Sequence, residues 1–289
     1  MNIRDLRYFV AVAEHEHFGK AAAACFVSQP TLSAQLKKLE ETLGVILFER
    51  NNKTVMLTAI GRQCLQVAKA ALLQVEELQK LARQSQDPLA GELRLGVIPT
   101  IAPYLLPKIV PKLIKPLPKL TLLLEEVQTE PLLKKLEQGE LDAGIIALPV
   151  PKMTMQAYSL FKETFVLALP VTHELARHKQ VAMKGLRDQT LLLLEEGHCL
   201  RDQTLSFCQN LKVQERQDFR ATSLETLRQM VVAGVGVTVM PAMAAYETPG
   251  VTYRPFAEPQ PQREIVLVAR PGFSRHSLIV KIHTLLREG

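Results

Sequence analysis

VSQPTLSAQLKKLEETLG, residues 27–44, decides how the N-terminal end of this 289-residue chain folds. Ser28 stands where an N-cap is expected, Pro30 is tolerated in a first turn, and Gly44 closes the run. Leu32, Leu36, Leu39 and Leu43 recur at steps of three and four, which predicts one buried stripe of a helix. The opposite surface carries Gln29, Pro30, Thr31, Gln35 and Lys38, with Ser33 flanking it. Upstream, Leu6, Phe9, Val10 and Ala13 keep helical spacing, and the alanine-rich FGKAAAACF (18–26) has high helix propensity. Two short helices joined by a tight turn, the second polar-faced and amide-rich, match a helix-turn-helix. Glutamine can read adenine edges, while serine and threonine hydroxyls contact phosphates or bases.

Working outward, VILFERNNKTVMLT (45–58) reads as a strand, a turn centred on two asparagines, and a second strand. That is a small wing, with Arg50 and Lys53 placed to reach a minor groove or phosphates. Residues 1–60 carry seven basic and six acidic side chains, so charge alone does not exclude a plain three-helix bundle with a hairpin. From Arg62 to about Asp87 there is no Gly or Pro. Leu65, Ala68, Leu72, Val75 and Ala82 form a seam there, with Leu78 and Leu81 nearby. A lone helix of this length needs a partner for its seam, either a second copy or its own C-terminal half. Pro88 and Gly91 then break the run.

Beyond the break, strand-like and helical segments alternate. ELRLGVI (92–98), LTLLLEEVQT (120–129) and LDAGIIAL (141–148) read as strands, with LLPKIVPKLIK (105–115) and LLKKLEQG (132–139) as helices between them. This is the pattern of an open α/β sheet, in which ligands sit beyond the carboxyl ends of strands. Thr100 and Thr129 both occupy such positions, although a threonine after a strand is also an ordinary helix cap.

In GHCLRDQTLSFC (197–208) two cysteines stand nine residues apart. On a helix they would be about 13 Å apart along the axis and on opposite sides, whereas a disulfide needs Cα atoms within about 7 Å. A helical form and a bonded form of one backbone exclude each other, so the pair suits a redox switch. Two unrelated packed thiols remain the plain alternative.

The composition narrows the function classes. Hydrophobic residues make up 47% of the chain, enough for more than one core. Tryptophan is absent and aromatics are few, which argues against stacking-rich single-strand binding. The net charge of +6 permits an anionic partner without requiring one. MNIRDLRYF has charges where a signal peptide has an apolar run, and no stretch of eighteen apolar residues occurs, so a cytoplasmic protein without a membrane span is expected. Four cysteines in a chain this long are not a disulfide scaffold, and none has zinc-site spacing, so neither metal nor cofactor is expected.

The run FxxVAExxxFxxAAxxxxxSQPTLSxQLKKLEExLGxxLFERxxxxxxLTxxG, beginning at Phe9, resembles the winged helix-turn-helix of the LysR-type transcriptional regulators. GELRLGVIPT (91–100), LEQGELDAGI (136–145) and AGVGVTVMP (233–241) resemble that family's effector domain, and HCLRDQTLSFC is similar to its peroxide-sensing members. The resemblance implies a winged helix-turn-helix at 1–59, a linker and dimerisation helix at 60–88, and at 89–289 a two-lobed α/β effector domain similar to periplasmic binding proteins. Lobe I is expected at about 92–161 and 269–289, and lobe II at about 162–268.

It further implies that Cys199 is oxidised by hydrogen peroxide to a sulfenic acid, which Cys208 resolves to a disulfide. The thiolate is stabilised by cations or helix-start amides, for which Arg201, His198 and the start of a helix after Gly197 stand nearby. His198 is placed to orient peroxide or move its proton, Asp202 to hold a water or pin that histidine, and Thr100 and Thr129 to donate to peroxide oxygens. Phe207 reads as a core plug that must leave its pocket before the sulfurs meet, and Cys25 and Cys64 as inert packing. Double-stranded operator DNA, a dimer that pairs into a tetramer, RNA polymerase and a thiol reductant are the implied partners. The competing readings are a LysR-type regulator that binds a small organic anion between its lobes, and a thiol peroxidase, for which no second catalytic motif is visible.

Overall fold

The computed structural model describes residues 1–50, 55–84, 87–150, 153–208, 213–216 and 218–287. It divides into two units, Met1–Gln86 and Asp87–Gly289.

In the first unit, α1 (Ile3–His15) opens with a reciprocal cap: Asp5 N–H donates to Asn2 Oδ1 at 3.0 Å and Asn2 N–H to Asp5 Oδ2 at 2.8 Å. The short α2 (Phe18–Ala24) is capped by the His17 ring. Helix α3 (Gln29–Leu43) starts on the Ser28 hydroxyl and stops at Gly44, whose φ of 68° suits a residue without a Cβ. Leu32, Leu36 and Leu39 are buried with Tyr8, Phe9 and Val12, whereas Leu43, in the last turn, is exposed and drops out of the expected stripe. Strands β1 (Phe48–Arg50) and β2 (Val55–Leu57) pair antiparallel, Phe48 opposite Leu57. Glu40 of α3 accepts from the Leu47 and Phe48 amides and so ties the wing to the helix before it. Lys53 and the side chains of Arg50 and Leu81 lie outside the described residues.

Helix α4 (Ala59–Gln84) starts before Gly61, at which a Cβ would stand 2.2 Å from the Leu47 carbonyl oxygen. Its 26 residues span about 39 Å. Ala68 is buried, Leu65, Leu72 and Val75 are half-buried, and Leu78 and Ala82 are exposed.

The second unit runs β3 (Gly91–Val97), α5 (Ala102–Ile114), β4 (Leu120–Glu126), α6 (Thr129–Gln138), β5 (Ala143–Leu148), β6 (Gln156–Pro170), β7 (Thr190–Leu191), α7 (Cys199–Cys208), β8 (Gln214–Glu215), α8 (Leu224–Val232), β9 (Thr238–Pro241), β10 (Val251–Pro255), β11 (Gln262–Ala269) and α9 (His276–Arg287). The main sheet has the order β10-β6-β11-β5-β3-β4, with β9 also on β6. Strands β3, β4 and β5 are mutually parallel through β3, as helical crossovers require, and β11 returns antiparallel to both β5 and β6.

Two cores flank this sheet. One gathers β3, β5, α5, α6 and α9, and the other gathers the far half of β6, β9, α8 and the Leu191–Leu194 run. The fifteen-residue β6 passes from the first core at Leu160 to the second at Phe165. The return comes earlier than the expected boundary at 268: Ile265 to Ala269 already sit in the first core, because β11 is paired with β5 from Glu264 onward. A register shift between Ile265 and Val266 against β6 marks the change. No helix among the described residues is long and apolar enough to cross a membrane.

Candidate functional site

Cys199 is the first residue of α7 and Cys208 the last, and all four cysteines are unbonded. The helix is thus the thiol form of the segment. Its two ends belong to different cores: Cys199 packs against the first, Cys208 is buried in the second. Phe207 also packs on the second core, its ring 5.1 Å from that of Phe165.

The Cys199 end is assembled from three loops. Ile98, Pro99 and Thr100 follow β3, Gln128 and Thr129 follow β4, and Gly197 and His198 precede α7; together with Cys199 they line a closed crevice with no free volume for a water molecule. Gly197 has a φ of 94°, a backbone conformation that favours glycine at the turn into α7. Neither threonine is a helix cap. Ile101 and Gln128 hold the cap positions of α5 and α6, neither with a side-chain cap bond. Thr100 Oγ1 accepts from Arg263 Nη1 at 3.0 Å, which leaves its own hydroxyl hydrogen free to donate. Thr129 Oγ1 is buried without a nitrogen or oxygen partner, and its influence falls on the Cys199 thiol.

Burial pushes the Cys199 thiol up from its ordinary value, and Asp202 adds to that. The Thr129 hydroxyl, the Arg263 charge and the Leu200 N–H pull it back down. The cation of the site is therefore Arg263, not Arg201. Arg201 turns away: its Nη2 donates to Glu215 Oε1 at 2.7 Å and its Nη1 to the Leu194 carbonyl at 3.3 Å. On a helix, residues two apart do not face each other. Arg263 is buried and held by Glu163, whose Oε2 accepts from Nε at 2.8 Å and whose Oε1 accepts from the Met243 amide. Its guanidinium also lies 5.7 Å from the centre of the Phe165 ring, the ring against which Phe207 packs.

His198 is buried, and that burial lowers its pKa, with Glu195 4.0 Å away opposing. A neutral imidazole serves as a proton acceptor rather than a fixed cation. Asp202 is exposed and does not pin it. On its other side, Cys199 opens to a wider cavity of about 900 Å³ between α6 and α7, lined among others by Thr129, Lys134, Pro149, Gln203, Ser206 and Phe207. Cys25 and Cys64 are half-buried against the helical core of the first unit, and burial raises the Cys25 thiol. No group of three or more metal-ligating side chains occurs among the described residues.

On the reading helix α3, Gln29, Pro30, Thr31 and Lys38 are exposed, as are Ala34 and Lys37. Ser33 and Gln35 are half-buried, and Gln35 sits at the margin of the leucine stripe rather than opposite it. The Thr31 hydroxyl is engaged by Ser28 at 2.7 Å within the cap. Arg263, Glu163 and Gln203 went unseen in the sequence because no local spacing connects them to Cys199 or, for Gln203, marks it as chemical.

Residues 3–62 match the bacterial regulatory helix-turn-helix protein model of the lysR family, and residues 86–289 match the LysR substrate binding domain. The whole chain is 45% identical to the hydrogen peroxide-inducible genes activator of Pectobacterium carotovorum subsp. carotovorum, covering 96% of it. Over 94% of its length it is 47% identical to the DNA-binding transcriptional dual regulator OxyR of Escherichia coli K12, covering 90% of that protein. A solved full-length OxyR from Pseudomonas aeruginosa, a Cys-to-Asp variant, matches with a TM-score of 0.79 at 40% identity, over 99% of this chain and 95% of that one. The chain therefore belongs to the lysR family of bacterial helix-turn-helix transcription regulators, and within it to the hydrogen peroxide-inducible activators of the OxyR group. Its helix-turn-helix is a DNA-binding unit.

Proposed function

We propose that this chain is a peroxide-operated transcription regulator whose switch is a reversible Cys199–Cys208 disulfide, and that it controls oxidative-stress genes. One observation carries the reading. A cysteine stands at a helix start in a closed crevice with Thr100, Thr129, His198 and Arg263, while its partner thiol is buried in another core at the far end of the same helix.

In the first step the Cys199 thiolate attacks one peroxide oxygen. The S–O bond forms, the O–O bond breaks, and the leaving hydroxide takes a proton to become water. Arg263 stabilises the thiolate, the free Thr100 hydrogen and Thr129 bind peroxide oxygens, and neutral His198 accepts the thiol proton. Asp202, at the exposed rim, opposes ionisation, and Arg201 anchors α7 to β8. In the second step Cys208 displaces hydroxide from the sulfenic sulfur, which requires α7 to unwind and Phe207 to leave Phe165. A thiol reductant resets the pair.

The rearrangement alters how effector domains associate, and with it the spacing of the reading helices on DNA. Gln29, Pro30, Thr31, Ser33, Gln35 and Lys38, with Arg50 and Lys53 of the wing, contact the operator. Helix α4 pairs with that of a second copy, and such dimers pair into tetramers that engage RNA polymerase in the cytoplasm. The domains divide at 59 and 88, and regulation rather than peroxide turnover is the output.

A second reading is favoured by the 900 Å³ cavity with Lys134 on its wall: a small organic anion bound between the lobes. Titration of free thiols before and after one equivalent of hydrogen peroxide separates the two. Loss of two thiols per chain, abolished in Cys199→Ser and reduced to one in Cys208→Ser, is the expected result. Unchanged thiols together with tight carboxylate binding would favour the anion.

A further inference from the structure

Gln203 lies one helical turn beyond Cys199, and both line the cavity between α6 and α7. Side chains on a helix lean toward its N-terminus, so Gln203 covers the turn that carries the thiol. Its amide orientation is fixed. Nε2 donates to the Leu148 carbonyl at 3.0 Å, and only the nitrogen end can meet a carbonyl. Oε1 is thereby directed elsewhere, and it is buried with no hydrogen-bond partner among the described residues. Gln203 as a whole is 6% exposed. Thr129 Oγ1, beside the same sulfur, is the other such atom lining this cavity. A buried acceptor left unpaired is costly, and such atoms concentrate where a group comes and goes.

We propose that Gln203 Oε1 and the Thr129 hydroxyl form a receptor for the sulfenic acid of Cys199. A sulfenic acid offers one O–H donor and an acceptor oxygen. Gln203 takes the donor and Thr129 serves the oxygen. The thiol before reaction and the disulfide after it carry no such oxygen; Thr129 meets the peroxide first and the sulfenic oxygen next, and Gln203 Oε1 is engaged by the intermediate. The receptor keeps the sulfenic oxygen turned into the cavity and away from a second peroxide until Cys208 arrives. The oxygen is supplied by hydrogen peroxide: the thiol and peroxide give the sulfenic acid and water, and the sulfenic acid and the Cys208 thiol give the disulfide and a second water. This inference rests on the peroxide reading above.

The test uses the full chain carrying Cys208→Ser, so that the intermediate accumulates. One equivalent of hydrogen peroxide is added, dimedone follows at timed delays, and the adduct at Cys199 is measured by mass spectrometry. Gln203→Leu is expected to shorten the sulfenic acid half-life about tenfold, the worth of roughly one hydrogen bond, with the rate of peroxide consumption unchanged within about twofold. Gln203→Glu keeps an oxygen acceptor and gives up the bond to Leu148, and its half-life should stay within about twofold of the parent. An unchanged half-life in Gln203→Leu overturns the proposal. So does an equal loss in Gln203→Glu, which would assign the residue to anchoring α7; if the leucine variant does not fold, Gln203→Ala, which also removes Oε1, takes its place with the same expected and overturning results. Failure of the parent to give any adduct at Cys199 instead defeats the peroxide reading itself.

Discussion

The two ends of α7 are built on different principles. At Cys199, side chains from three loops and from β6 and β11 converge on one sulfur, and several of them are polar and buried. At Cys208 there is only packing: the thiol is buried in an apolar core, its pKa is raised by that burial alone, and the Phe207 ring packs at a tilt on Phe165 beside it. One end is equipped for chemistry and the other for holding still. The difference teaches where control lies. On the proposed mechanism, reactivity is set by the polar end, and the poise between thiol and disulfide by the apolar end.

Breaking the polar end should give the largest effect. Arg263→Met strips Glu163 of its buried partner and is expected to destabilise the second unit by about 3–5 kcal/mol, read from urea unfolding. Alkylation of Cys199 should slow at the same time, since the nearest cation is gone. A midpoint that hardly moves would mean that the pair contributes no more than a surface ion pair.

The apolar end should respond differently. Phe207→Ala removes the tilted ring contact with Phe165 and weakens the thiol form by about 2–3 kcal/mol. If the ring is unpacked in the disulfide form, the reduction potential falls by roughly 40–60 mV, because the reduced state alone is penalised. Equilibration with glutathione measures this, and an unchanged potential would show that Phe207 stays packed in both states.

A smaller effect is expected from pH. Burial lowers the pKa of His198, so the folded chain binds fewer protons there than the unfolded chain. Stability is therefore retained above the unfolded value near 6.5 and lost as pH falls below it, until the lowered folded pKa is passed. His198→Asn should flatten that part of the stability profile. Cys199 and Cys208, whose thiols are raised, act in the opposite direction and only above about pH 9. The smallest change belongs to the first unit: Lys38→Ala should weaken operator binding almost equally across sequences and reduce the salt slope by about one.

The same contrast separates what the chain's text reveals from what it conceals. Helix α3 was legible from cap to cap because Ser28, the leucines and Gly44 act on their immediate neighbours. The open α/β sheet was legible from the alternation of strand-like and helical segments, but its strand order was not. The polar end of α7 was not. Reading Arg201 as the thiolate's cation followed proximity along the sequence, which a helix converts into the wrong direction. Arg263 and Glu163 reach the site only because β11 pairs with β6, and Gln203 stands out only once its second oxygen is found without a partner. Capping is local physics, whereas an unsatisfied atom is a property of the finished enclosure.

Strand β6 is a single unbroken ribbon shared by both lobes. A hinge of the clamshell kind would have to strain the β6–β11 ladder of backbone bonds, which keeps its register except for one shift between Ile265 and Val266. Helix α7, from Cys199 to Cys208, lies outside that ladder and can rearrange without breaking it. On the proposed disulfide switch, resetting means rewinding about three turns of helix while the β6–β11 spine stays put, a local event rather than a refolding of the domain.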